Sequence, residues 1–174
     1  RFKELQEAIK TASTKRLKKA KDIITAINKE QHVLRKFDKL NADLPKRAVH
    51  FDAKISNFLF DKKTGKAKGI IDLDTLMPGT VLSDIGDMIR TYSNIAGEES
   101  KAIDLVNADT EITQYIITGF LSACGNMLIT EEKNYLEFSG KALSLIQCIR
   151  FLTDYLNNDN YYKVSYSNQN WVRS

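Results

Sequence analysis

The chain has 174 residues, of which 43% are hydrophobic and 28% are charged. This length predicts a single domain, spanning residues 1–174, that buries a core of its own. The composition excludes a disordered chain or a disulfide framework. Apolar runs are far shorter than the ~20 residues that cross a bilayer, so we expect no membrane partner. No leader-like segment precedes the first helix, and the two cysteines are isolated, which favours a cytoplasmic protein.

Positive charge is concentrated at the start of the chain. Residues 1–47 hold 14 Lys and Arg against 6 Asp and Glu, a net of +8, and the remainder holds 12 against 16, a net of −4. Such a basic arm can follow the phosphates of nucleic acid. The stretch nevertheless has the period of an amphipathic helix and lacks interleaved aromatic residues. We therefore expect a solvated basic face and no nucleic-acid partner.

Apolar periodicity predicts a short helix over Phe2–Thr11 and a long helix over roughly Ser13–Leu40, with a stop at Asn41–Pro45. Two apolar runs, Ile55–Phe60 and Gly69–Leu73, predict a β-hairpin. Its turn contains Asp61 and a glycine, Gly65, suited to a positive φ.

The sequence pattern of the second half of the chain predicts mainly helices. Pro78-Gly79 predicts a further turn, and Thr130 is expected to cap a helix. Periodic apolar residues then predict helices over 82–92 and 112–123, and a third that begins at Thr130-Glu131-Glu132 and has apolar residues from 136 to 152. The tail from Tyr161 has no period. The fold class is therefore α+β and mainly helical, with one small hairpin.

Polar residues flank this hairpin in a pattern that indicates chemistry. His50-x-Asp52-x-Lys54-x-x-Asn57 leads into the first strand, and the second strand ends at Asp72. Because a hairpin brings its two ends together, we expect Asn57 and Asp72 to lie side by side. Asp52 lies on the loop that leads in.

Phosphoryl transfer from ATP needs this set of groups. Carboxylate and amide oxygens, here Asp72 and Asn57, suit Mg²⁺. A loop aspartate, Asp52, orients the attacking hydroxyl and accepts its proton. Lys54 can reach the transferred phosphate, and His50 is expected to support the loop.

The alternative to phosphoryl transfer is a purely structural interpretation, in which Asp52 and Asn57 cap the loop and Asp72 simply ends a strand. The short motif by itself occurs by chance. Its coupling to a hairpin and to an Ile-Asp-x-Asp run beginning at Ile71 favours phosphotransfer.

These segments resemble the aminoglycoside phosphotransferase and choline kinase superfamily. The resemblance rests on Val49-His50-Phe51-Asp52, Asn57-Phe58-Leu59-Phe60-Asp61, Ile71-Asp72-Leu73-Asp74-Thr75, Met77-Pro78-Gly79, and Asp84-Ile85-Gly86-Asp87-Met88-Ile89-Arg90. Within the superfamily, the third and fourth of these, with Arg150-Phe151-Leu152-Thr153-Asp154-Tyr155-Leu156, are most similar to N-acetylhexosamine kinases. Those enzymes phosphorylate the anomeric hydroxyl of a sugar.

The resemblance implies a protein-kinase-like fold, of which this chain corresponds to the C-terminal lobe with its catalytic-loop hairpin. It also implies ATP as co-substrate, Mg²⁺ as cofactor and a small sugar as substrate. The sequence contains no glycine-rich phosphate loop and begins with Arg1 rather than Met. We therefore expect the N-terminal nucleotide-binding lobe of the same polypeptide to be missing, and this chain alone to be inactive.

Further site residues follow from the resemblance alone. It implies that Asp84 braces the catalytic loop through backbone amides, and that Arg150 and Tyr161 lie on the sugar side. Asp74 is expected either to face the sugar or to lie among the groups that surround the metal ligands. An Arg such as Arg150 also commonly packs its stem and sends its head to solvent or to a carboxylate.

Other functions stay open at this point. A kinase of the same superfamily for choline, homoserine or an aminoglycoside is one alternative. A non-catalytic helical binding module that uses the basic face is another. A protein kinase fits less well, because Asp72 is followed by Leu-Asp rather than Phe-Gly.

Overall fold

The computed structural model describes all of residues 1–174, which form two compact units. The first contains residues 1–36 and 144–174, and the second contains residues 37–143. The eight α-helices and four short strands confirm a mainly helical α+β fold. No helix combines the length and the apolar character that a bilayer span requires.

The first unit is helical throughout. It contains α1 (Phe2–Thr11), α2 (Thr14–Lys29), the start of α3 (Gln31–Asp43), the end of α7 (Leu136–Leu156) and α8 (Gln169–Arg173). The apolar stripes of these amphipathic helices meet in one core. Its fully buried members are Leu5, Ala8, Ala20, Ile27, Ile149, Leu152, Tyr155 and Leu156.

The prediction of one long helix over Ser13–Leu40 was wrong at a single turn. Glu30 leaves the helical conformation with φ −91° and ψ 8°, and its amide is shared between the carbonyls of Ala26 and Ile27. The chain becomes helical again at Gln31 and continues to Asp43. Apolar periodicity is similar on both sides of the break, which is why the pattern did not reveal it.

The second unit carries two separate two-stranded antiparallel sheets. Strand β1 (Arg47–Val49) pairs with β4 (Met77–Gly79), and β2 (Phe58–Phe60) pairs with β3 (Ala67–Ile70). Helices α4 (Val81–Tyr92), α5 (Thr110–Cys124) and α6 (Thr130–Asn134) follow, and then the first part of α7.

The predicted hairpin is confirmed, but its strands are shorter than expected, and the second runs over Ala67–Ile70 rather than Gly69–Leu73. Residues 55–57 form a 3₁₀ turn that leads into β2, and Leu73–Thr75 form another after β3. In the hairpin turn the Asp61 carboxylate accepts the amides of Lys63 and Thr64, and Gly65 has φ +67°.

The predicted turn at Pro78-Gly79 was wrong, because these residues belong to β4. An added Cβ at Gly79 would lie 2.4 Å from the ring of Phe51, so only glycine fits this close approach. The third helix of the second half, predicted to begin at Thr130, is interrupted at Tyr135 and forms α6 and α7, and Thr130 is not the cap of α6. The Glu132 carboxylate fulfils that function by accepting the amide of Ile129 at 2.9 Å.

Candidate active site

The loop before β2 is clamped by one carboxylate of α4. Asp84 Oδ2 accepts the amide of His50 at 2.8 Å, and its Oδ1 accepts the amide of Phe51 at 2.8 Å. Phe51 has φ 63°, a left-handed conformation that is costly for an aromatic residue. The two charge-assisted hydrogen bonds stabilise this turn, which presents the next residue, Asp52.

His50 lies buried beneath the loop and ties it to the hairpin. Its Nδ1 accepts the amide of Asp52 at 3.3 Å, which leaves Nε2 as the protonated nitrogen. Nε2 then donates to the carbonyl of Ile71 at 2.9 Å. The backbone position next to Asp72 is therefore coupled to the backbone position of Asp52 through one imidazole ring.

The Asp52 carboxylate is held on one side and open on the other. Its Oδ2 accepts Lys54 Nζ at 2.7 Å and Asn57 Nδ2 at 3.0 Å, and Asn57 Nδ2 also reaches the Asp52 carbonyl at 2.8 Å. Oδ1 accepts no hydrogen bond from the protein. An oriented carboxylate with one free oxygen is the geometry that a general base requires.

Lys54 is half-buried beside this carboxylate. Burial by itself lowers the pKa of Lys54, but the hydrogen bond and charge of Asp52 outweigh it, with smaller contributions from Asp72 and Glu98. The pKa therefore ends above its ordinary value, and Lys54 is a cation at neutral pH. A fixed positive charge next to Asp52 can serve a phosphoryl group.

Asn57 and Asp72 lie at the open end of the hairpin. The amide of Ile71 donates to the carbonyl of Asn57 at 2.9 Å, and Asp72 follows with φ 63°. The Asn57 amide nitrogen donates to Asp52, and its Oδ1 accepts no hydrogen bond from the protein. The Asp72 carboxylate is exposed and likewise accepts no hydrogen bond from the protein.

These two groups fit a magnesium ion, which takes one or two protein oxygens and completes its shell with water and substrate phosphates. Three or more His, Cys, Asp or Glu side chains do not gather into a metal-binding group anywhere in the chain. A site here would therefore depend on the mixed amide and carboxylate pair.

The remaining predicted site residues are placed as follows. Asp74 is exposed in the 3₁₀ turn after Asp72 and makes no side-chain hydrogen bond. Arg150 and Tyr161 belong to the first unit, so their assignment to an acceptor stays a prediction. Arg150 donates to Gln147 at 3.2 Å and lies over the ring of Tyr162.

Tyr161 is 76% exposed, and its amide donates to Asp154 at 2.8 Å. Tyr161 lines an open polar cleft of about 530 Å³. Within the first unit this cleft is also lined by Thr11, Asp154, Leu156, Asn157, Asn158 and Asn160.

The charged residues that continue along α4 were part of the resemblance in the sequence but were assigned no role there. Asp87 and Arg90 follow Asp84 at successive intervals of three residues, and Arg90 pairs with both Asp87 and Glu98. The three-residue spacing was visible in the sequence and places these side chains on one side of a helix. The partner in the following loop, Glu98, had no such signal.

A mainly helical unit in which a small hairpin supports a clamped aspartate, with amide and carboxylate oxygens at the strand ends, has the arrangement of kinase-type transferases. Comparison with known protein families gives the same class of protein. The sequence model of the phosphotransferase enzyme family, APH, matches residues 2–109, more than half of the chain. The chain belongs to this family, and the match contains the loop, the hairpin and α4.

Proposed function

We propose that this chain is the catalytic lobe of an ATP-dependent kinase that phosphorylates the anomeric hydroxyl of an N-acetylhexosamine. Family membership supports a kinase-type transferase. The observation that carries the catalytic assignment is the Asp52 carboxylate, whose Oδ2 is held by Lys54 and Asn57 while Oδ1 is free. The sugar assignment rests on the similarity of Ile71–Gly79 to N-acetylhexosamine kinases.

In this proposal Asp52 Oδ1 accepts the proton of the acceptor hydroxyl. The hydroxyl oxygen then forms a bond to the γ-phosphorus of ATP as the bond from that phosphorus to the β,γ-bridging oxygen breaks, and ADP leaves. Lys54 supports the transfer by placing a positive charge beside Asp52 and the transferred group. Positioning and electrostatics supply most of the acceleration in such reactions.

Asn57 Oδ1 and the Asp72 carboxylate are the protein oxygens that would hold Mg²⁺. When bound, the ion neutralises charge on the phosphates of ATP. The residues of this chain contribute by keeping both oxygens at the end of one hairpin, where the Asn57–Ile71 backbone bond holds the strands together.

We further propose that an N-terminal lobe of the same polypeptide binds the nucleotide and covers the hairpin. The hairpin and the turn after it expose an unusual number of large apolar side chains, here called the hairpin apolar set. Its members are Ile55, Leu59, Phe60, Ile71, Leu73, Leu76 and Met77, and all are at least 43% exposed. Exposed apolar groups in such density favour a covering partner.

The decisive test uses the polypeptide extended upstream of Arg1, with labelled ATP. Asp52→Asn keeps the shape of the loop and removes the base, so we expect kcat to fall by about 10²–10⁴-fold. Asp22→Asn, an exposed change on α2, is the matched control. Near-normal turnover of Asp52→Asn with unchanged far-UV circular dichroism would remove Asp52 from the proposed function.

The acceptor is tested in the same assay with a panel of N-acetylglucosamine, N-acetylgalactosamine, choline, homoserine and an aminoglycoside. We expect the N-acetylhexosamines to show the highest kcat/KM, and EDTA to abolish transfer. Preference for another acceptor would keep the kinase class and replace the sugar.

A further inference from the structure

The segment that carries Asp72 is a short arc of backbone, Ile71–Thr75, here called the Asp72 arc. Asp72 has φ 63° and ψ 56°, and the 3₁₀ turn Leu73–Thr75 follows it. The amide of Leu76 closes this turn by donating to the carbonyl of Leu73 at 3.0 Å. Left-handed conformations are uncommon for residues other than glycine, and they persist where surrounding contacts hold them. The contacts that hold the arc therefore decide where the Asp72 carboxylate lies.

Both ends of the Asp72 arc are bound to the same residue, His50. At the first end, the carbonyl of Ile71 accepts His50 Nε2 at 2.9 Å. At the last end, Thr75 Oγ1 donates to the carbonyl of His50. His50 is 4% exposed, and its own amide donates to Asp84 Oδ2. The arc is therefore tied at two points to a residue that α4 itself holds in place.

The tie at the last end depends on one hydroxyl group. From residue 71 to residue 78, every residue except Thr75 is exposed. Among the side chains of the Asp72 arc, only the Thr75 hydroxyl makes a hydrogen bond. The next contact with another element comes at Met77, which pairs with Val49 of β1. Without the Thr75 bond, the stretch that lacks a hydrogen bond to another element would therefore extend from Asp72 to Leu76.

We propose that Thr75 is a positioning residue, which holds the Asp72 carboxylate at the predicted magnesium site by tying the Asp72 arc to His50. This inference rests on the proposed function, because it concerns the metal ion that Asp72 would hold. Thr75 itself touches neither the ion nor ATP. Its hydroxyl acts on metal binding through the backbone of the arc.

The metal test uses the upstream-extended polypeptide and the Mn²⁺ complex of AMP-PNP, a non-hydrolysable analogue of ATP. Isothermal titration calorimetry gives the Kd of this complex. Thr75→Val nearly keeps the shape of the side chain and removes the hydroxyl, so we expect Kd to rise about three- to tenfold, the range that one hydrogen bond supports. Thr75→Ser keeps a hydroxyl and stays within about twofold of wild type. Thr118→Val, the same change at an exposed threonine of α5, is the control and leaves Kd unchanged.

Hydrogen exchange of the same proteins, without nucleotide or metal, tests the tie itself. The amide of Leu76 closes the turn of the Asp72 arc. We expect it to exchange about two- to tenfold faster in Thr75→Val than in wild type, Thr75→Ser or Thr118→Val, because the turn has lost its bond to His50. The amides of Lys63 and Thr64, which donate to Asp61 in the hairpin turn, keep their rates and serve as internal references.

The two measurements separate the possible failures. Unchanged exchange at Leu76 in Thr75→Val overturns the tie, and the positioning role with it. Faster exchange with an unchanged Kd overturns the positioning role, as does a Thr75→Ser variant whose Kd rises as much as that of Thr75→Val. If wild type does not bind the Mn²⁺ complex of AMP-PNP, the proposed function fails and the effect of Thr75 on the metal with it, while exchange still decides the tie.

Discussion

At the scale of single residues, the Glu132 carboxylate forms a buried ion pair with Arg47 in the second unit. It is completely buried, and its two oxygens accept Arg47 Nε and Nη2, each at 2.8 Å. Oε2 also accepts the amide of Ile129, and Arg47 Nη2 reaches the carbonyl of Met127 at 2.7 Å. One bidentate pair therefore connects β1 to the start of α6.

This pair predicts a pH dependence of stability. The hydrogen bonds from Arg47 lower the pKa of Glu132 below its ordinary value of 4.5, against the opposing effect of burial. The unfolded chain therefore binds a proton more readily than the folded one. The stabilisation is fully present above pH 4.5 and is lost as the pH falls through the lower pKa of the folded state.

We expect Glu132→Gln to lower the free energy of unfolding by about 2 kcal/mol at pH 7, as measured by urea denaturation. The difference between wild type and variant should shrink as the pH falls from 6 to 3. Glu131→Gln, its exposed neighbour, serves as control. A difference that stays constant over this range would contradict the coupling between Glu132 ionisation and folding.

The contacts of some residues can be predicted from the sequence, and those of others cannot. The spacing of His50, Asp52 and Asn57 is local, and the loop does bring Asp52 and Asn57 into contact. Arg47 and Glu132 are 85 residues apart. No local pattern connects them, since their pairing depends on how β1 and α6 pack.

At the scale of elements, α4 and α7 approach each other at two glycines. An added Cβ at Gly86 would lie 2.7 Å from the carbonyl oxygen of Ser139, and one at Gly140 would lie 2.4 Å from Ile89 Cγ2. Both distances are far below ordinary van der Waals contact. The crossing holds α4, and with it the Asp84 clamp, at a short interhelical distance.

Gly140→Ala is therefore expected to lower the free energy of unfolding by about 1–3 kcal/mol, because the methyl group has no space. Gly119→Ala on α5 is the matched control, since no atom lies within 4 Å of its added Cβ. There the change should raise stability by up to about 1 kcal/mol through helix propensity. Shifts of the urea midpoint from wild type in the same direction for both variants would contradict the close crossing.

The elements also show where periodicity stops being informative. Helices α1, α4 and α5 match their predicted ranges within two residues, because each has a clear apolar stripe. Strand β4 was missed because Met77-Pro78-Gly79 contains two turn-forming residues. Its strand character comes from pairing with β1, which lies about thirty residues earlier in the chain.

At the scale of the whole molecule, exposed large apolar side chains are unevenly distributed along the chain. The hairpin apolar set lies within about twenty residues around the predicted magnesium site. Leu59 and Leu73 are 48% and 52% exposed. Burial of such side chains gains free energy roughly in proportion to the apolar area removed from water. In the isolated chain of residues 1–174, a second copy is the partner always available.

We therefore expect the isolated chain to sediment as a concentration-dependent mixture of its 19.8 kDa monomer and larger species. The double variant Leu59→Ser with Leu73→Ser should shift the mixture towards monomer, because both side chains are exposed and contribute little to the core. Ile95→Ser is the control, as Ile95 is 76% exposed but lies on the α4–α5 loop. If Ile95→Ser reduces association as much as the double variant, or if wild type sediments as a monomer at every concentration, the hairpin apolar set does not drive association.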